Sequence, residues 1–297
     1  MKAGYASLIG RPNAGKSTLL NRLVGTKVAI VSDKPQTTRT RILGVKHGSG
    51  ERSGQIVFVD TPGIHRPMHR MNVRMVDHAV ETITQVDVLI VVLDASLRTG
   101  RGDRFVLELL DRAKAPVILA LNKIDLLAKH RLLPLMDWYR RQREFAGLVP
   151  ISALSGDGVP ELEGEIWDHL PEGEPLFPDG YVTDQPERTV VAETVREKLL
   201  RETRAELPFA SAVVVDRFEE ADARGVMRLY CSIVVDRDTH KPIVLGRGGA
   251  RIKRIGAEAR QELERVFGAH VYLDLHVRVR PGWRESARML RELGLER

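Results

Sequence analysis

Along the first half of the chain, short apolar runs alternate with amphipathic stretches of helical period. Residues 5–9 are mostly apolar and end at Gly10. Residues 17–24 follow, with Leu19, Leu20, Leu23 and Val24 at helical spacing and Gly25 as a stop. A second apolar run, 56–59, ends at Asp60. The runs 88–93 and 117–121 are rich in branched side chains and almost unbroken, the pattern of strands buried on both faces of a parallel sheet. Helical stretches such as 103–112 lie between them. This alternation predicts right-handed βαβ units, with ligands beyond the carboxyl ends of the strands.

The pattern changes near residue 170. Residues 171–188 carry Pro171, Pro175, Pro178 and Pro186 with Gly173 and Gly180, and read as a linker between domains at 1–170 and 189–297. Beyond it, 189–203 reads as a helix, and 212–218 and 226–236 alternate like antiparallel strands. A short segment leads to Gly246-Arg247-Gly248-Gly249. The following helix carries Ile252, Ile255, Ala259, Leu263 and Val266 on one face, and 271–279 is a last strand. Residues 283–293 read as a terminal helix packing Trp283, Ala287, Leu290 and Leu293 on its own domain. The order helix–strand–strand–helix–GxxG–helix–strand resembles a type II KH domain, an α+β RNA-binding fold in which the glycines admit a single-stranded backbone. Residues 246–256 include Arg247, Arg251, Lys253 and Arg254 and no acid, so this loop is expected to carry a positive local field.

Composition narrows the class. The 297 residues suit two domains, and 43% hydrophobic with 29% charged residues reads as soluble and globular. No apolar run approaches the roughly 18 residues of a membrane span, and no secretory h-region is present. Cys231 is the single cysteine, so no internal disulfide forms, in keeping with a cytoplasmic location; its mid-strand place reads as core. The net charge of +6 points to a polyanionic partner.

The chemistry sits at the strand ends. Gly10-Arg11-Pro12-Asn13-Ala14-Gly15-Lys16-Ser17, followed by Thr18, matches G-x-x-x-x-G-K-[ST] between a strand and a helix. Its backbone N–H groups are expected to cradle phosphate at a helix N-terminus, with Lys16 on the β- and γ-phosphates and the Ser17 hydroxyl on Mg²⁺. Asp60-Thr61-Pro62-Gly63 follows the next strand: Asp60 is placed to hold Mg²⁺ through water, and the Gly63 N–H to bond the γ-phosphate. Asn122, Lys123 and Asp125 end the 117–121 strand. A carboxylate at Asp125 accepts N1–H and N2–H of guanine, a donor pair that adenine lacks. Asn122 ties the loop down, the Lys123 stem packs along the ring, and Ser152-Ala153-Leu154 offers a backbone N–H to guanine O6. The four motifs in order imply GTP rather than ATP, in an α/β P-loop NTPase domain with a mostly parallel sheet.

Two features depart from the usual GTPase template. A glutamine normally follows the Asp-x-x-Gly glycine and orients the attacking water. Here that position is Ile64, which cannot. Either turnover is slow, or another group supplies the charge; the candidate is a K⁺ ion held by Asn13 against the phosphates. Between the first helix and Asp60, Thr37 or Thr38 is expected to close over Mg²⁺ when GTP is bound. His65 and His69 read as parts of a polar switch loop.

Together, GRPNAGKS at 10–17, QTTR at 36–39, DTPGIHRP at 60–67, NKID at 122–125, SAL at 152–154 and the basic GxxG at 246–249 resemble the Era family of bacterial ribosome-assembly GTPases over almost the whole chain. The resemblance selects Thr38 over Thr37 as the Mg²⁺ ligand, and the family's hydrophobic residue after DTPG matches Ile64. It implies a monomeric GTP/GDP switch whose GTP state binds 16S ribosomal RNA near its 3′ end and acts in 30S subunit maturation. It further implies a cytoplasmic protein with peripheral contact to the inner membrane.

Overall fold

Six strands form the first sheet: β1 (Lys2–Ile9), β2 (Ile42–Gly48), β3 (Gly54–Asp60), β4 (Val88–Asp94), β5 (Val117–Asn122) and β6 (Gly147–Pro150), in the order β2-β3-β1-β4-β5-β6. The computed structural model describes all residues except 35–36, 64–80, 204–206 and 295–297. All neighbouring pairs are parallel except β2 and β3. Every residue of β3 and β5 is buried.

Successive side chains of β4 alternate between two cores. Val88, Ile90 and Val92 join Leu20, Phe58 and Trp167 on one face, while Leu89, Val91 and Leu93 join Val106, Leu110 and Tyr139 on the other. Burying one such aliphatic side chain contributes about 1.5–3 kcal/mol, so the doubly covered central strands anchor this unit. Helices α1 (Lys16–Val24), α2 (Arg101–Leu109), α3 (Leu132–Gln142) and α4 (Val159–His169) accompany the sheet. The helix read over 103–112 starts earlier, at Arg101, where the Asp103 carboxylate accepts the Gly100 N–H at 2.9 Å, and it finishes as a 3-10 turn, Leu110–Arg112. The antiparallel edge strand β2 has no strong apolar signature, because Lys46 and His47 interrupt it; Lys46 pairs with Glu163 at 2.7 Å.

The first compact unit ends at Asp184 and the second begins at Gln185; the second also includes the short segment Ser32–Thr37. Of the proline-rich stretch 171–188, the part up to Asp184 is docked on the first unit. The Val45 N–H donates to the Val182 carbonyl at 2.8 Å, the Thr183 hydroxyl to Leu43 at 2.7 Å, and Phe177 stacks on Tyr181.

The second unit contains α5 (Glu187–Glu202), β7 (Ser211–Glu219), β8 (Val226–Val235), α6 (His240–Leu245), α7 (Ala250–Phe267), β9 (His270–Val279) and α8 (Ala287–Glu292). Its sheet runs β7-β8-β9, antiparallel between β7 and β8 and parallel between β8 and β9. Val195, Leu199, Leu229, Ile233, Ile255, Ala259 and Leu263 form the core together with Cys231. The terminal helix read over 283–293 is broken at Ser286: a 3-10 turn, Trp283–Glu285, buries Trp283, whose indole N–H donates to the Ala210 carbonyl at 3.1 Å. Ser286 then caps α8, which accounts for the break.

Candidate nucleotide site and nucleic-acid interface

The loop joining β1 to α1 is held by steric fit. A Cβ on Gly10 would lie 2.2 Å from the Val92 carbonyl oxygen, and one on Gly15 would lie 2.2 Å from Asn122 Nδ2. Asn13 is exposed and left-handed, with φ 63°, a conformation its short polar side chain tolerates. Lys16 opens α1 and is 95% buried; its Nζ donates to the carbonyls of Gly10 at 3.2 Å and Arg11 at 3.1 Å. Burial lowers its pKa, and nearby Asp60 opposes that shift. Arg11 itself pairs with Asp103 of α2 at 3.1 Å. The first turn of α1 holds no acid, which leaves its positive end open to an anion. Thr18, half-buried, belongs to that turn.

Ser17, Thr38 and Asp60 converge. The Ser17 hydroxyl donates to Asp60 Oδ2 at 2.7 Å and lies 2.8 Å from Thr38 Oγ1. Asp60 is fully buried, and its Oδ1 has no hydrogen-bond partner among the described residues. Burial pushes the Asp60 pKa up, against the opposing pull of Lys16 and the two hydroxyls. A carboxylate with an orphaned oxygen beside two hydroxyls is a hard oxygen donor set, which fits Mg²⁺. Thr37 faces elsewhere: its hydroxyl donates to the Lys34 carbonyl at 2.6 Å, and its own carbonyl accepts from the buried Arg196 of α5. Thr61 is structural, donating to the Leu8 carbonyl at 3.0 Å, and Pro62 is buried beside it. Gly63 lies so close to the phosphate loop that a Cβ would come within 2.7 Å of Pro12 Cα. Ile64, Gln36, His65 and His69 lie outside the described residues.

At the end of β5, Asn122 Nδ2 donates to the Ala14 carbonyl at 2.8 Å, and its Oδ1 accepts the Ala153 N–H at 2.9 Å. Asp125 is exposed on the 3-10 turn Ile124–Leu126. The Ser152 N–H is taken by Asp157 at 2.8 Å, and the Leu154 N–H has no partner among the described residues. Lys123 sits at φ 67° with its ammonium 2.6 Å from Asp94, whose other oxygen accepts from Ser96. Asp94 and Ser96 escape motif reading. The one available signal is that β4, like β3, ends on an aspartate at the carboxyl edge of the sheet.

In the second unit, Gly246, Gly248 and Gly249 have φ of 73°, 59° and 77°, and a Cβ on Gly248 or Gly249 would meet open space. Gly246 is different, since a Cβ there would lie 2.7 Å from that of Arg251. Glu202, at the end of α5, supplies the acid that 246–256 lacks: it pairs with Arg254 and lies 3.9 Å from Arg251, which also donates to the Ile243 carbonyl. Arg247 and Lys253 are exposed and have no acidic partner among the described residues. Beside them, Ile252, Gly256, Leu273 and Leu275 line an apolar groove of about 290 Å³, rimmed by Lys253 and Arg260. Among the described residues the strand β9 forms the edge of the sheet, with no neighbouring strand on one side of its backbone.

Known proteins match both units. The family model described as 50S ribosome-binding GTPase matches residues 5–123, and that of the KH domain matches 206–284. The chain is 47% identical over 293 residues to the GTPase Era of Syntrophus aciditrophicus, covering 99% of this chain and 95% of the relative. It is 48% identical over 295 residues to that of Geotalea uraniireducens, covering 99% and 98%. The chain belongs to the Era family of GTPases. As an Era-family member it is a GTP hydrolase with an α/β P-loop unit and a KH unit. An Era variant from Aquifex aeolicus bound to GDP·AlF₄⁻ is 42% identical, covers 100% of both chains and has a TM-score of 0.95. An Era complex with MgGDPNP and nucleotides 1506–1542 of 16S ribosomal RNA has the same identity, coverage and TM-score.

Proposed function

We propose that this chain is a GTP-controlled RNA binder that engages 16S ribosomal RNA near its 3′ end and acts in 30S subunit biogenesis. The observation that carries the reading is the presence in one chain of the Ser17–Thr38–Asp60 oxygen cluster and a GxxG turn beside an apolar, cation-rimmed groove. The Era complex with MgGDPNP and nucleotides 1506–1542 of 16S ribosomal RNA supports it.

In this reading Gly10–Thr18 cradle the phosphates. Lys16 leaves two loop carbonyls for the β- and γ-phosphates, and the Gly63 N–H senses the γ-phosphate. Ser17 and Thr38 would hold Mg²⁺ directly and Asp60 through water; the bound ion would neutralise charge on the β- and γ-oxygens. Asp125 reads the guanine N1–H and N2–H, Lys123 covers the ring, Asn122 joins the two loops, and Ser152–Leu154 present the N–H for O6. Thr37, Thr61, Pro62 and Ile64 complete the switch segments. In the second unit, Gly246, Gly248 and Gly249 let the RNA backbone approach, with Arg247, Arg251, Lys253 and Arg254 as phosphate contacts. The chain acts as a cytoplasmic monomer. No helix among the described residues is long and apolar enough to cross a membrane, so contact with an anionic bilayer would be peripheral, which liposome flotation tests.

With Ile64 unable to hold water, turnover is slow and draws on a K⁺ ion held at Asn13. Steady-state GTP hydrolysis in K⁺ and in Na⁺, with and without a 16S 3′ fragment, tests this. A several-fold fall in Na⁺ is expected, and equal rates would remove K⁺ from the mechanism.

A further inference from the structure

Arg22 lies in the last turn of α1, outside every motif named above. Its Nη2 donates to the Leu154 carbonyl and its Nε to the Ala153 carbonyl at 3.4 Å. Arg22 is exposed, and no carboxylate pairs with it among the described residues; these two carbonyls are its partners there. Elsewhere in the loop, Gly156 N–H donates to Ser152 O at 2.7 Å, and Ser155 N–H to Ser152 Oγ at 3.1 Å.

A trans peptide is planar, with its C=O and N–H pointing in opposite directions. Gripping the Ala153 carbonyl therefore fixes the plane that contains the Leu154 N–H and turns that N–H away from α1. Gripping the Leu154 carbonyl fixes the next plane as well. A cation on a carbonyl also polarises the N–H of the same peptide and makes it a stronger donor. The neighbouring Ala153 N–H is already engaged by Asn122.

We propose that Arg22 is a positioning residue for base selection: through the Ala153–Leu154 peptide it sets the preference for the 6-oxo group of guanine. The inference rests on the reading that 152–154 faces guanine O6.

The test uses the full chain and three ligands: GDP, 6-thio-GDP, in which a weak sulfur acceptor replaces O6, and IDP, which lacks the 2-amino group. Calorimetric affinities are measured for the wild type, Arg22→Ala and Arg22→Lys, with melting curves to confirm folding. The wild type should disfavour both analogues. Arg22→Ala should shrink the 6-thio penalty about threefold or more and leave the IDP penalty unchanged, because Asp125 reads that edge. Arg22→Lys, with one donor group, should retain part of the 6-thio penalty. Equal weakening of all three ligands by Arg22→Ala, or no change, would overturn the inference and leave Arg22 a plain loop staple or a solvated cation. A wild type that binds GDP and 6-thio-GDP equally would remove the reading of 152–154, and the inference with it.

Discussion

Asn122 Nδ2 donates to the Ala14 carbonyl at 2.8 Å, so the side chain that ends β5 is bonded directly to the loop between β1 and α1. Its Oδ1 takes the Ala153 N–H as well, and the residue is 2% exposed. Asn122→Ala would strand two buried backbone groups, each costing about 1–3 kcal/mol. The melting temperature should fall, and GDP affinity should drop by about tenfold or more, read by fluorescent-nucleotide titration. Unchanged affinity would mean the two loops do not depend on this bridge.

Asp60 sets function against stability. Burial raises its pKa, so stability from its protonated form is fully present below the ordinary carboxylate range and is lost as pH rises through the folded pKa. Above the ordinary carboxylate range, burying this carboxyl therefore costs the ion-free fold. Asp60→Asn should hold or raise the melting temperature without nucleotide, yet abolish the extra stabilisation that Mg²⁺ adds to GDP. A lower melting temperature without ligand would contradict this account of the carboxylate.

Glu202 holds Arg254 and lies near Arg251. Glu202→Gln should free both for phosphate, strengthen RNA binding several-fold at low salt and steepen the slope of log K against log salt by about one to two. Arg247→Ala should weaken binding and flatten the slope by about one. Filter binding across a salt series measures both, and parallel slopes for all three proteins would remove these arginines from the interface.

Cys231 is fully buried on β8, and its thiol pKa is pushed up to about 12 by burial, with Asp216 and Asp274 adding. Its thiolate is therefore scarce at pH 8, and the folded protein should resist thiol reagents that label the denatured chain fully. Rapid labelling of the native protein would contradict this core placement.

The strands β3, β4 and β5, and the residues at the carboxyl ends of β3 and β5, were legible because two-sided burial leaves unbroken apolar runs and motifs have fixed order. β2 was not, since an antiparallel edge strand tolerates Lys46 and His47. Arg22, Asp94 and Glu202 were invisible for a different reason: each acts through a partner distant in sequence, on Leu154, Lys123 and Arg254, and no local spacing encodes those pairs. The break at Ser286 was hidden by continuous helical periodicity, which a single capping hydroxyl overrides.

The central claim is that nucleotide state controls RNA binding. The most direct measurement is the affinity of the full chain for a 3′-terminal 16S ribosomal RNA fragment, by fluorescence anisotropy, with a non-hydrolysable GTP analogue and with GDP. The account predicts binding about tenfold or more tighter with the GTP analogue, a coupling of about 1.4 kcal/mol, and little binding of a scrambled fragment. Equal affinity in both nucleotide states, or equal affinity for the scrambled RNA, would contradict it.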